Sequence, residues 1–158
     1  MMVNTRRFGE IEIEPREVLH FPVGIAGFPD ERAFILVRTK ETGTIAWLQS
    51  ARTPSLALPL VSAHAFGSSY PDVPFQPIAE RAGIGSDTED MAMMVVLSAP
   101  EGQPATVNLL APIVVNTETR VGGQLFLEGT SFGTREFFAI PEANREAAPS
   151  PVMSAAAG

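Results

Sequence analysis

The chain has 158 residues, 45% of them apolar and 18% charged, which is the size and composition of one compact domain able to fill a core. Eleven Lys and Arg against 18 Asp and Glu leave a formal charge of −7, which argues against a phosphate-tracking surface because binding a polyanion draws on a surplus of cations. With no cysteine there is no disulfide framework, thiolate metal site or cysteine nucleophile, and the chain fits a reducing compartment.

Met1–Arg7 lacks the apolar centre of a signal peptide, and no stretch approaches the ~20 apolar residues of a membrane span, so a cytoplasmic protein without a membrane partner is expected. Phe8–Glu14 alternates apolar and acidic residues, the period of a strand with one wet face, and Pro15 stops it. Val18–Phe21 is a second short strand, broken by Pro22. Residues 21–30 then form a shaped loop, in which prolines forbid ladder bonding, glycines permit positive φ, and the apolar side chains tuck in as anchors. Ala33–Val37 and Ile45–Ser50 flank a Thr42-Gly43-Thr44 turn and read as a hairpin, with Phe34 and Trp47 in the core. Leu56–Val61 is a further strand whose Pro59 argues for an edge or a bulge. From His64 to Pro77 the spacing is irregular, and Ile78–Ala82 before Gly83 is a short helix with its C-terminal stop.

Met91–Leu97 is a near-continuous apolar run, as expected of a central strand covered on both faces. Thr106–Asn116 is a long strand kinked at Pro112, Val121-Gly122-Gly123 is a turn, Gln124–Leu127 returns, and Arg135–Ile140 is a last strand. The Ala, Pro and Ser-rich residues 142–158 read as a disordered tail after a single domain over 1–141. About ten short strands with one or two short helices imply a mainly β fold, a small closed or nearly closed antiparallel barrel.

Few residues offer chemistry. Gly129-Thr130-Ser131-Phe132-Gly133 matches the G-x-S-x-G nucleophile elbow, but that fold needs a histidine later in the chain, and both His20 and His64 lie upstream. The string reads as a glycine-rich turn; a minor hydrolase using Ser131, or a small-ligand barrel, is the rival. Asp87, Glu89 and Asp90 lack the glycine turn and final Glu of a calcium loop and read as a helix cap or a solvated acidic loop. Gly24-x-x-Gly27 lacks the ending of a phosphate loop. No catalytic, cofactor or metal residues are assigned. Phe66, Tyr70 and Phe75 fall where regular strands are interrupted, so they are candidate exposed docking anchors, with plugging of the barrel end as the alternative. Residues 1–80 carry 7 basic and 9 acidic groups and residues 81–158 carry 4 and 9, so five of the seven net negative charges lie in the second half.

Four strings in order, Arg7-Phe8-Gly9-Glu10-Ile11, Phe21-Pro22-Val23-Gly24-Ile25-Ala26-Gly27-Phe28, Trp47-Leu48-Gln49-Ser50 and Thr106–Asn116 with Gly123-Gln124 after it, resemble the flagellar assembly factor FliW family over roughly residues 4–140. The resemblance implies a cytoplasmic, non-enzymatic, barrel-like protein that binds flagellin and the RNA-binding carbon storage regulator CsrA. In that family the factor draws CsrA away from the flagellin message and newly made flagellin competes for the factor, which couples translation to filament assembly. On this reading Phe66, Tyr70, Ile78 and Ile84 are apolar partner anchors, and Asp87, Glu89 and Asp90 steer a basic partner by complementary charge.

Overall fold

The computed structural model of the chain describes residues 1–38, 45–85 and 87–140. The expected turn at residues 42–44 and the expected tail at 142–158 lie outside them. A separate antiparallel hairpin opens the chain: β1 (Met2–Thr5) pairs with β2 (Gly9–Glu12), Val3 opposite Ile11. The alternation of the second strand comes out as read, with Glu10 and Glu12 exposed and Ile13 buried. β1 escaped the sequence reading because it is four residues long and buries only Val3 and Thr5.

The remaining strands form one sheet. They are β3 (Leu19–His20), β4 (Ala33–Val37), β5 (Ile45–Ser50), β6 (Ala57–Ser62), β7 (Met91–Ser98), β8 (Thr106–Val107), β9 (Ile113–Asn116), β10 (Gly122–Gln124) and β11 (Glu136–Phe137). The order across it is β10-β9-β7-β6-β5-β4-β3, all neighbours antiparallel, and β8 branches from the far end of β7 with β11 beside it. β7 therefore has two successive partners on one side, β9 along Met91–Met94 and β8 along Leu97–Ser98. The long strand expected over 106–116 is thus two strands, interrupted by Asn108–Pro112.

Each central strand buries both faces, as alternation of side chains requires when both are covered. Ile45, Trp47, Ala57, Val61, Val95 and Leu97 face one layer, closed by Tyr70, Val107, Leu109 and Leu127. Leu48, Leu60, Met94 and Ile113 face the other, closed by Leu19, Phe21 and Ile25 of the 18–28 segment. Gly24 lets that segment fold tightly: at φ +68° a Cβ there would lie 2.3 Å from the Phe28 carbonyl oxygen. Pro59 sits on an inner strand, not an outer one. The ladder of β6 with β7 ends at Leu60 opposite Val96, one residue before the missing proline N–H would be needed.

The expected closed barrel is not found; the described strands make open sheets. The two ends of the large sheet approach each other, and the His20 amide donates to the Arg120 carbonyl at 2.8 Å, but only one isolated bridge, His20 to Val121, joins them. A closing ladder would need β3 to continue, and Pro22 removes the donor two residues on. The turn expected at Val121–Gly123 is also displaced. It lies at Thr117–Arg120, where the Asn116 side chain accepts from the amides of Glu118 (2.9 Å) and Thr119 (3.0 Å) and Arg120 adopts φ 66°. Gly122 and Gly123 belong to β10, where close packing demands them: a Cβ on Gly122 would lie 2.8 Å from the Phe21 ring.

Candidate functional site

The segment carrying the predicted anchors starts after β6. Ser62 accepts from the His64 amide and begins a single turn of tight helix over Ala63–Phe66; irregular backbone follows to α1 (Gln76–Arg81). Phe66 is half-buried, with its ring 5.9 Å from Tyr70 and 5.5 Å from Phe138. Tyr70 is not an exposed anchor. It is 5% exposed, packs edge-on against Phe132 and donates its hydroxyl to the Leu109 carbonyl at 2.9 Å, so it closes the Trp47 layer of the core. Burial, with the nearby Asp72 charge adding to it, pushes its phenol far above the usual range. Ile84 is 2% exposed and packs with Ala79, Val114 and Leu125, which corrects its reading as a surface anchor. Phe75 and Ile78 are half-buried between the two clusters.

Asp87 and Glu89 are exposed and Asp90 is half-buried. The Asp87 carboxylate accepts from the Glu89 amide at 3.0 Å, capping the short turn Thr88–Asp90 that leads into β7. The Asp90 carbonyl accepts from the Thr117 amide (2.7 Å) and hydroxyl (3.0 Å), so the acidic segment borders the β9–β10 turn. Nearby, the buried Asn116 amide donates to the Ile84 carbonyl at 2.9 Å. One asparagine thus joins the segment after α1 to the β9–β10 turn.

The G-x-S-x-G string resolves into a clasp. Asp72 accepts from the Thr130 hydroxyl, the Ser131 amide (3.1 Å) and the Ser131 hydroxyl (2.5 Å). These donors, Ser131 first, hold the Asp72 carboxyl below the usual carboxylate range. A carboxylate so stabilised is a poor base, and the serine hydroxyl is committed to it. The arrangement pins the 70–73 segment to the 128–132 loop; it does not build an elbow.

Sequence reasoning missed a cleft of about 390 Å³ on the Leu60 face of the large sheet. Leu58, Val96 and Ile113 form its floor, Ile25 and Phe28 one wall, and Arg135 is its only charged lining residue among the described residues. Gln124 pins that wall by accepting from the Ala26 amide at 2.8 Å and donating to the Ala111 carbonyl at 3.1 Å. Period-two spacing marks the floor residues as apolar but cannot show that the covering loop stops short of them.

The fold and its surfaces can be set beside known proteins. The family model described as FliW protein matches residues 2–138, from the first strand to the end of the last. This chain belongs to the FliW family. The flagellar assembly factor FliW of Moorella thermoacetica is 39% identical over 138 residues, 85% of this chain and 86% of that protein. FliW of Heliobacterium modesticaldum is 36% identical over 149 residues, 93% of this chain and 96% of that protein. A crystal structure of the flagellar assembly factor FliW is similar with a TM-score of 0.76 at 31% identity, covering 87% of this chain and 96% of that one. The Asp72 clasp, the acidic turn and the cleft all lie within the residues that match FliW.

Proposed function

We propose that this chain is a cytoplasmic, non-enzymatic regulator of flagellar assembly that binds flagellin and the carbon storage regulator CsrA in a mutually exclusive way. Flagellin accumulating in the cell would displace CsrA, and CsrA so released would again repress flagellin translation; export of flagellin reverses the exchange. The observation that carries the reading is the family match over residues 2–138 to proteins named flagellar assembly factors. A formal charge of −7 supports it, since a basic RNA-binding partner approaches an acidic surface faster. The half-buried Phe66 and Ile78 and the Asp87, Glu89 and Asp90 carboxylates are the partner-facing residues retained from the sequence reading. Tyr70 and Ile84 support them from beneath.

The test is capture of purified flagellin and CsrA on the immobilised chain, followed by challenge of each complex with the other partner. Both are expected to bind, and each to elute the other, as negative coupling between sites demands. Capture of neither sinks the reading, and simultaneous capture of both removes the exclusivity. Ser131→Ala is expected to leave capture of both partners intact.

A further inference from the structure

We infer that the cleft beside Arg135 is a docking site for an apolar polypeptide segment of a partner protein that carries a side-chain carboxylate. The inference rests on the reading of this chain as a partner-binding protein. Three observations carry it.

The cleft is apolar at its floor and already shaped. Leu58, Val96 and Ile113 project from three adjacent strands whose ladders hold them in place. The covering loop is fixed by reciprocal bonds between Ile25 and Phe28 (3.2 and 2.8 Å), besides its tie to Gln124. A preformed groove with an apolar floor and a polar rim of Ser98, Gln103, Thr106 and Asn108 binds without first ordering itself.

Its charge is of one sign. In a chain with an acidic surplus the cleft has, among the described residues, a single ionised lining residue, and it is a cation. Arg135 is exposed and has no ion pair or hydrogen bond to any other described residue, so its guanidinium fork is free to take a carboxylate.

Large exposed apolar side chains lie close in sequence to the cleft lining. Five large apolar side chains are exposed among the described residues; Met1 and Met2 are at the N-terminus, and the others are Val23 (78%), Phe126 (57%) and Phe137 (81%). Each lies two residues from a cleft-lining residue: Val23 from Ile25, Phe126 from Gln124, Phe137 from Arg135. The Leu125 and Leu127 amides bond to the Pro112 and Leu110 carbonyls, so 124–127 is extended and Phe126 shares a face with Gln124; Phe137, in β11, pairs opposite the cleft-lining Thr106. Exposed apolar residues next to three lining segments of a cleft exceed what a small carboxylate covers and match a chain segment.

The test is an NMR titration of the ¹⁵N-labelled full chain with a blocked synthetic nonapeptide of leucines and serines around one central glutamate. Its glutamine counterpart and hexanoate serve as comparisons. The glutamate peptide is expected to shift the amides of Ile25, Val96, Thr134 and Arg135 saturably. The glutamine peptide on the native chain, and the glutamate peptide on Arg135→Gln, should each bind about fivefold more weakly. Arg135 is exposed, and the spectrum of the variant itself reports that it folds. No saturable shift, shifts centred elsewhere, or equal binding by Arg135→Gln overturns the site. Equal shifts by hexanoate, or concentration-dependent broadening at the cleft from a second copy, overturn the polypeptide assignment. Loss of flagellin and CsrA capture with the peptide still seated in the cleft would end the proposed function and spare the site; the converse would do the opposite.

Discussion

Asp72 is an exposed carboxylate that gathers two hydroxyls and an amide from a loop 58 and 59 residues away. Because those donors favour its charged form, its folded pKa lies below the unfolded value of about 3.9. The stabilisation is therefore whole above the unfolded pKa and is lost as pH falls through the folded one. Asp72→Ala should lower the urea midpoint at pH 7 and down to about pH 5, and the gap from the native chain should close in strong acid; a gap independent of pH would show that the clasp is not electrostatic. Tyr70 lies two residues before it and faces inward. Tyr70→Phe keeps the ring but leaves the Leu109 carbonyl without its donor, a cost of about 1–2 kcal/mol in denaturant unfolding. Neither partnership was legible in the sequence. Ser131 reads correctly as a turn residue, but nothing local names Asp72, and Tyr70 among serine and proline looks exposed until Leu109 and Phe132 are folded over it.

At the scale of elements, strands β4 to β7 are readable because each is a short, mostly apolar run, so local preference agrees with the sheet even though β6 and β7 are joined by the long 63–90 segment. Where a residue serves a packing role instead of its usual one, local sequence points elsewhere. Gly122 and Gly123 suggested a turn, yet Gly122 is in a strand because Phe21 and Val115 press on it. Gly122→Ala should cost about 1–3 kcal/mol by overpacking. Gly102→Ala provides the contrast, since its Cβ would meet nothing within 4 Å and only φ +75° opposes it, at about 1–2 kcal/mol. Thermal unfolding separates the two causes: enlarging the cavity with Phe21→Leu should rescue the first variant and leave the second unchanged. Barrel closure was over-read for a related reason, since strand number is legible in a sequence and the presence of a closing ladder is not.

For the whole molecule, five of the seven net charges fall after residue 80, and Asp87, Glu89 and Asp90 concentrate three acids at the entry to β7. If the proposed binding of CsrA holds, replacing them together with Asn, Gln and Asn should slow that association at low salt and flatten its salt dependence, while leaving the dissociation rate near that of the unsubstituted complex. Stopped-flow association at two ionic strengths measures both effects, and rates equal to the native ones would remove the steering role. Among the described residues no helix is long and apolar enough to cross a membrane.

The layer around Trp47 also sets an order of events during synthesis. Ile45, Trp47 and Val61 leave the ribosome early, whereas Val107, Leu109 and Leu127, which cover them, are translated some sixty to eighty residues after Trp47. Until Leu127 emerges, the nascent meander holds one apolar face only partly covered, the condition under which growing chains recruit chaperones or stick to one another. A chain stopped at Asn116 should accordingly show red-shifted Trp47 emission and aggregate, and one stopped at Ile140 should show neither.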